Sequence, residues 1–209
     1  MSGKLFIIAA ASGTGKTTLV HALCRNLGNL QVSISCTTRP MRPGERDGVD
    51  YFFIDNATFD RMVADKKFLE HENVFGYRYG TPRAWVEDQL RAGIDIILEI
   101  DWKGARSVRA MLPDCIGIFL LPPGFAVLEQ RLCRRAQDNE ATIQRRMRAA
   151  LAELSHYGEF DYLVINDDLD TAVAEVQEII DSCRKGQRVS TPDRREFAER
   201  LMTEGGKLK

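Results

Sequence analysis

A short apolar run, Leu5 to Ile8, leads into Ala9-Ala10-Ala11-Ser12-Gly13-Thr14-Gly15-Lys16-Thr17-Thr18, and then into a pattern with Leu19, Leu23 and Leu27 on one side. The order is buried strand, glycine turn, helix. Few folds tolerate that order with a lysine at the helix start. Glycines free the backbone to aim several N–H groups at one anion. The helix N-terminus adds unpaired donors and a partial positive charge. The spacing makes Ala10, Ala11, Ser12, Gly13, Thr14, Gly15, Lys16 and Thr17 a triphosphate cradle, with Lys16 reaching the outer phosphates and the Thr17 hydroxyl on Mg²⁺. The consensus asks for glycine at position 10, where this chain has the next smallest residue, Ala10.

The 209 residues fit one α/β domain with insertions, and 44% apolar content is enough for a full core. The 29 basic and 30 acidic residues leave a net charge of −1, which disfavours a general nucleic-acid binder. Five cysteines without metal-type spacing, Cys24, Cys36, Cys115, Cys133 and Cys183, read as thiols of a cytosolic protein. No run approaches a membrane span, so no membrane partner is expected.

Beyond the loop, residues 16–27 read as helix and 31–35 as a short strand. From 36 to about 90 the chain turns Pro- and Gly-punctuated, aromatic and charged, unlike a βα repeat, and reads as an inserted substrate module. The α/β rhythm resumes with strands at Ile94–Ile100, Cys115–Leu121 and Tyr162–Ile165, and helices at 103–111, 140–155 and 169–183. In 140–155, Ile143, Met147, Ala150, Leu151 and Leu154 form one apolar stripe. This alternation implies a mostly parallel sheet covered on both faces, with ligands beyond the carboxyl ends of its strands. Residues 185–209 are polar, with one short helix expected near 192–202.

A second site lies in Thr37-Thr38-Arg39-Pro40-Met41-Arg42-Pro43-Gly44-Glu45, continuing to Asp50-Tyr51. Each proline pushes the preceding arginine into extended geometry. At three residues per turn, Arg39 and Arg42 project to one side, as two forks aimed at a phosphate dianion. This segment resembles the signature of the guanylate kinases. The resemblance continues at Phe68-Leu69-Glu70, Tyr79-Gly80-Thr81-Pro82, Leu98-Glu99-Ile100-Asp101 with Gly104-Ala105, Arg131-Leu132 with Arg135, Arg146, and Asn166-Asp167-Asp168. It spans residues 5–183.

The resemblance implies a P-loop NTPase-type parallel sheet flanked by helices, with an inserted mixed α/β GMP-binding module and a helical lid. Residues 1–35, 91–125 and 150–184 would form the core, 36–90 the GMP module, 126–149 the lid, and 185–209 a polar extension. The reaction implied is ATP + GMP ⇌ ADP + GDP, with Mg²⁺, by a cytoplasmic monomer or small homo-oligomer. Arg39, Arg42, Tyr51 and Tyr79 would grip the monophosphate, with Glu45 of the same segment assigned to that site. Ser35, Glu70, Thr81 and Asp101 would read the guanine. Glu70 is the natural discriminator, because guanine presents N1–H and N2–H₂ side by side to a carboxylate. Arg131, Arg135 and Arg146 would reach the transferring group, and Asn166 would lie near the adenine. Arg134, Arg145 and Arg148 read instead as solvated helix charges. The acceptor oxygen is already ionised at neutral pH, so no general base is expected. Among rivals, the Thr37–Tyr51 segment fits neither thymidylate nor adenylate kinase. Lys16 and Thr17 speak for an enzyme over a scaffold domain that has lost catalysis, and no Asn-Lys-x-Asp motif supports a GTP-hydrolysing switch.

Overall fold

In a computed structural model, residues 2–74, 76–134, 140–189 and 191–206 are described, without the side chains of 133, 134 and 140–143. The chain begins with β1 (Leu5–Ala10), all six residues of it buried. There follow α1 (Lys16–Asn26), β2 (Leu30–Val32), β3 (Cys36–Thr37), β4 (Phe52–Phe53), α2 (Asn56–Ala64), β5 (Phe68–Val74) and β6 (Tyr77–Pro82). The second half runs α3 (Arg83–Arg91), β7 (Asp95–Glu99), α4 (Trp102–Met111), β8 (Ile116–Leu121), α5 (Phe125–Arg134), α6 (Glu140–Leu154), β9 (Tyr162–Ile165), α7 (Leu169–Arg184) and α8 (Arg195–Gly205).

Two sheets result. The larger is wholly parallel, in the order β2-β7-β1-β8-β9. Because side chains alternate across a strand, β1 feeds two cores at once. Leu5, Ile7 and Ala9 join Leu98, Val108, Phe119 and Leu128 on one face. Phe6, Ile8 and Ala10 join Leu19, Leu23, Val176 and Ile180 on the other. Burial on both faces explains why these strands read as unbroken apolar runs. The smaller sheet is mixed, in the order β4-β3-β6-β5, over a core of Cys36, Phe59 and Phe68.

The strand expected at 31–35 stops at Val32. Ser33 N–H still donates to Ile97 O at 2.9 Å, whereas Ser35 O accepts from Phe52 N–H at 2.9 Å. Residues 33–35 therefore carry the chain from the large sheet to the small one, and this handover breaks the strand. The polar C-terminal segment holds α8, with Ala198 and Leu201 buried. A Cβ on Gly205 would fall 2.2 Å from Leu151 Cδ2 and 2.7 Å from Phe125 Cε2, so α8 packs closely on α5 and α6. Arg194, just before α8, donates to Leu163 O at 2.7 Å and pairs with Glu175. Among the described residues no helix is long and apolar enough to cross a membrane.

Candidate functional site

The phosphate loop lies at the carboxyl end of β1. Gly13 and Gly15 take φ of 89° and 95°, left-handed values that favour glycine. Their missing side chains are also spatially required. A Cβ on Gly15 would stand 2.7 Å from Asn166 Nδ2, and one on Gly13 2.9 Å from Leu132 Cδ2. Ala10 is different: it is the last residue of β1, paired with Leu120, with no positive φ. Nothing at that position demands glycine, so alanine is accommodated.

Lys16 opens α1 and donates from Nζ to Ile100 O at 3.1 Å. Burial pushes its ammonium below the ordinary lysine range, opposed by Glu99, Glu153 and Asp101. The Thr17 hydroxyl donates to the carboxylate of Glu99, the last residue of β7. A hydroxyl against a carboxylate, both hard oxygens, is a donor set that fits Mg²⁺. In the sequence Glu99 stands out only as part of the Leu98–Asp101 motif, with no role of its own; an acidic residue closing a buried strand beside the loop was the available signal.

Arg131 and Asn166 brace the loop from beneath. Asn166 is buried and donates from Nδ2 to Thr14 O at 2.7 Å. Arg131 Nη1 donates to Thr14 O at 3.2 Å and to Asn166 O at 3.1 Å. Arg146 is half-buried on α6, whereas Arg145 and Arg148 are exposed there. Arg135, like residues 136–139, lies outside the described residues.

The small sheet carries the second pocket. Arg39 is only 7% exposed; its Nη2 donates to Glu45 Oε1 at 2.7 Å and its Nη1 to Pro40 O at 2.8 Å. Its guanidinium lies 5.5 Å from the Tyr51 ring centroid, and Tyr51 meets Tyr79 edge-on at 5.9 Å. The Glu45 hydrogen bond holds Arg39 above its usual range and, reciprocally, Glu45 below the usual carboxylate range. Arg39, Tyr51 and Tyr79 are thus gathered. Arg42 contributes its backbone N–H to Glu45 Oε2 at 2.7 Å while its residue stays exposed. Glu45 thus ties the two arginine positions together and orients the Arg39 guanidinium.

Glu70, on β5, accepts from the buried Thr81 hydroxyl at Oε1, 2.6 Å. Burial pushes its carboxyl above the ordinary glutamate range, and nearby Asp101 adds to the rise. A Cβ on Gly104 would fall 3.3 Å from Glu70 Oε2, so that glycine admits the carboxylate against α4. Asp101 caps α4, accepting from Gly104 N–H at Oδ1, 2.8 Å.

A cleft of about 390 Å³ joins the two pockets. Its lining brings Thr17 of α1 and Glu99 of β7 together with Glu45 and Tyr51 from the connection between β3 and β4, Thr81 of β6, and Ser35 at the handover between the sheets. The buried Ser33 hydroxyl in its wall has no hydrogen-bond partner. The guanylate kinase family model matches residues 2–183. The chain belongs to the guanylate kinase family. It is 54% identical over 184 residues to the guanylate kinase of Nitrosococcus oceani, covering 88% of this chain and 91% of that one. To the guanylate kinase of Methylococcus capsulatus it is 52% identical over 182 residues, covering 87% and 89%. The crystal structure of guanylate kinase from Anaplasma phagocytophilum superposes with a TM-score of 0.69 at 30% identity, covering 95% of each chain. That guanylate kinase likeness agrees with the parallel sheet and flanking helices seen here.

Proposed function

We propose that this protein is a guanylate kinase that transfers the γ-phosphoryl group of ATP reversibly to GMP, giving ADP and GDP, in the cytoplasm. The observation that carries the reading is the shared cleft, with the phosphate loop's Thr17 on one wall and Tyr51 and Thr81 on the other. Family membership supports it.

The residues act as follows. Loop N–H groups from Gly13 to Thr17 and the Lys16 ammonium hold the ATP phosphates. Lys16 already rests among three carboxylates, so the triphosphate competes for a cation whose charged form is costly to keep buried without a partner. Thr17 with Glu99 would hold Mg²⁺, which when bound neutralises phosphate charge. Arg39, steered by Glu45, and the Tyr51 and Tyr79 hydroxyls hold the GMP phosphate, with Arg42 at the rim. Glu70 accepts the guanine N1–H and N2–H₂, beside Ser35, Thr81 and Asp101. Adenine lacks that donor pair and would leave a desolvated carboxylate unpaired, which supports rejection by a factor of about 10⁴. Residues 36–90 act as the GMP module, and 126–149, with Arg131, Arg135 and Arg146, as the lid that excludes water as a rival acceptor. The family resemblance supports dGMP as an acceptor beside GMP.

A panel of nucleoside monophosphates in a coupled ADP-release assay tests this. GMP and dGMP should turn over; equal or faster turnover of AMP or dTMP would refute it.

A further inference from the structure

The phosphate loop makes one contact that the transfer reaction does not call for. Ser12 N–H donates to Glu153 Oε2 at 2.7 Å, across 141 residues of sequence. Glu153 lies in the last turn of α6, the helix that carries Arg146. A carboxylate beside a triphosphate site repels the ligand, so its place there needs another reason. The bond orients the Ala11–Ser12 peptide just before the turn whose following N–H groups must converge on phosphate. Preorganised N–H groups bind an anion well because no reorientation accompanies binding. Burial raises the Glu153 carboxyl, while the Ser12 N–H and Lys16 pull it back towards its ionised form.

The helix itself does not depend on this bond. Met147, Ala150 and Leu154 are buried beneath it. Just beyond its end, His156 stacks on Trp102 with ring centroids 3.4 Å apart and planes 12° from parallel. Glu159 then joins His156 Nδ1 at 2.6 Å and Arg106 Nη2 at 2.7 Å. Removing the Glu153 carboxylate therefore leaves α6 seated and frees the loop.

We propose that Glu153 is a positioning residue for the donor-phosphate loop, fixing the Ala11–Ser12 peptide and resting the root of the Arg146 helix on it. The proposal rests on the assignment of that loop to ATP. Arg146 lies seven residues, two turns, before Glu153, about 10 Å along the helix. A shift at the root is thus passed to the arginine by a rigid element.

The test compares wild type, Glu153→Ala and Glu153→Gln in the full chain. Titration calorimetry measures ATP and GMP separately, and steady-state kinetics supplies kcat and KM for each. Losing one charge-assisted hydrogen bond should lower kcat/KM for ATP by about ten- to a hundredfold. The GMP dissociation constant should stay within about twofold of wild type. Glu153→Gln keeps a carbonyl that accepts from Ser12 N–H and should recover ATP binding to within about threefold of wild type. An alanine variant equal to wild type, equal losses for both nucleotides, or a glutamine variant no better than alanine would each overturn the proposal. Melting curves of the two variants separate loop effects from loss of fold. Should wild type fail to phosphorylate GMP, the functional reading falls, while the ATP titrations still decide the role of Glu153.

Discussion

Replacing Glu70 by glutamine keeps size and shape and removes one acceptor. In the wild-type site Thr81 occupies part of Oε1, and Gly104 gives Oε2 room against α4. Both oxygens are needed, because the guanine edge presents two adjacent donors. Glutamine offers one carbonyl and sets an NH₂ group against a donor. Charge-assisted hydrogen bonds contribute about 1.5–3 kcal/mol each, so losing one and weakening the other costs about 2–4 kcal/mol, or about 30- to 700-fold in GMP affinity. ATP affinity should be unchanged, since Glu70 stands on the small sheet, away from the phosphate loop. The pH response adds an independent reading. A protonated Glu70 cannot accept both donors, so GMP binding favours the ionised form. Affinity is complete above the Glu70 pKa and falls as pH drops through it. Burial has raised that pKa from its usual 4.5, so the fall begins at a higher pH than an ordinary glutamate would give. Calorimetric titration of GMP against pH should show this fall in wild type over and above that of Glu70→Gln, because the phosphate of GMP titrates equally in both. Equal loss of ATP and GMP affinity, or matching pH profiles, would refute the assignment of Glu70 to the base.

Lys16→Met should lower turnover by about 10²- to 10³-fold with melting unchanged, since the variant loses a phosphate donor and a desolvated cation together; wild-type kcat would contradict the donor site. Arg39→Lys should raise the KM for GMP by about tenfold, because an ammonium cannot serve Glu45, Pro40 O and a phosphate in one planar arrangement. Steady-state kinetics at saturating ATP reads it, and an unchanged KM would remove Arg39 from the acceptor pocket. Gly205→Ala should cost about 1–3 kcal/mol of stability through overpacking on Leu151 and Phe125, as read by denaturant unfolding. No loss would mean that α8 is not seated as described.

The strand–turn–helix around the glycine loop was legible because it is contiguous from Leu5 to Asn26, and local rules govern each piece. The ends of β7 and β8 were legible for the same reason: buried parallel strands write themselves as apolar runs. The sheet order was not, since β1 pairs with β7 and β8 across long crossovers and nothing local records which neighbour lies on which side. The small sheet was legible only as a departure from βα rhythm. β3 and β4 are two residues each, too short for any period, and their pairing is set by distant partners. Glu45 holds the buried Arg39 guanidinium and the Arg42 backbone N–H together, a tie that no local pattern records. Glu153 was invisible for the plainest reason: it sits beside an apolar stripe on α6, and only folding brings it to Ser12.

The claim that two nucleotide sites share one cleft is tested most directly with a bisubstrate ligand, adenosine and guanosine joined through five phosphates. Calorimetry should find one molecule per chain, bound tighter than ATP or GMP alone by about 10²-fold or more, since the second contact becomes intramolecular. Binding no tighter than either nucleotide, or ATP and GMP still able to bind beside it, would contradict a single cleft.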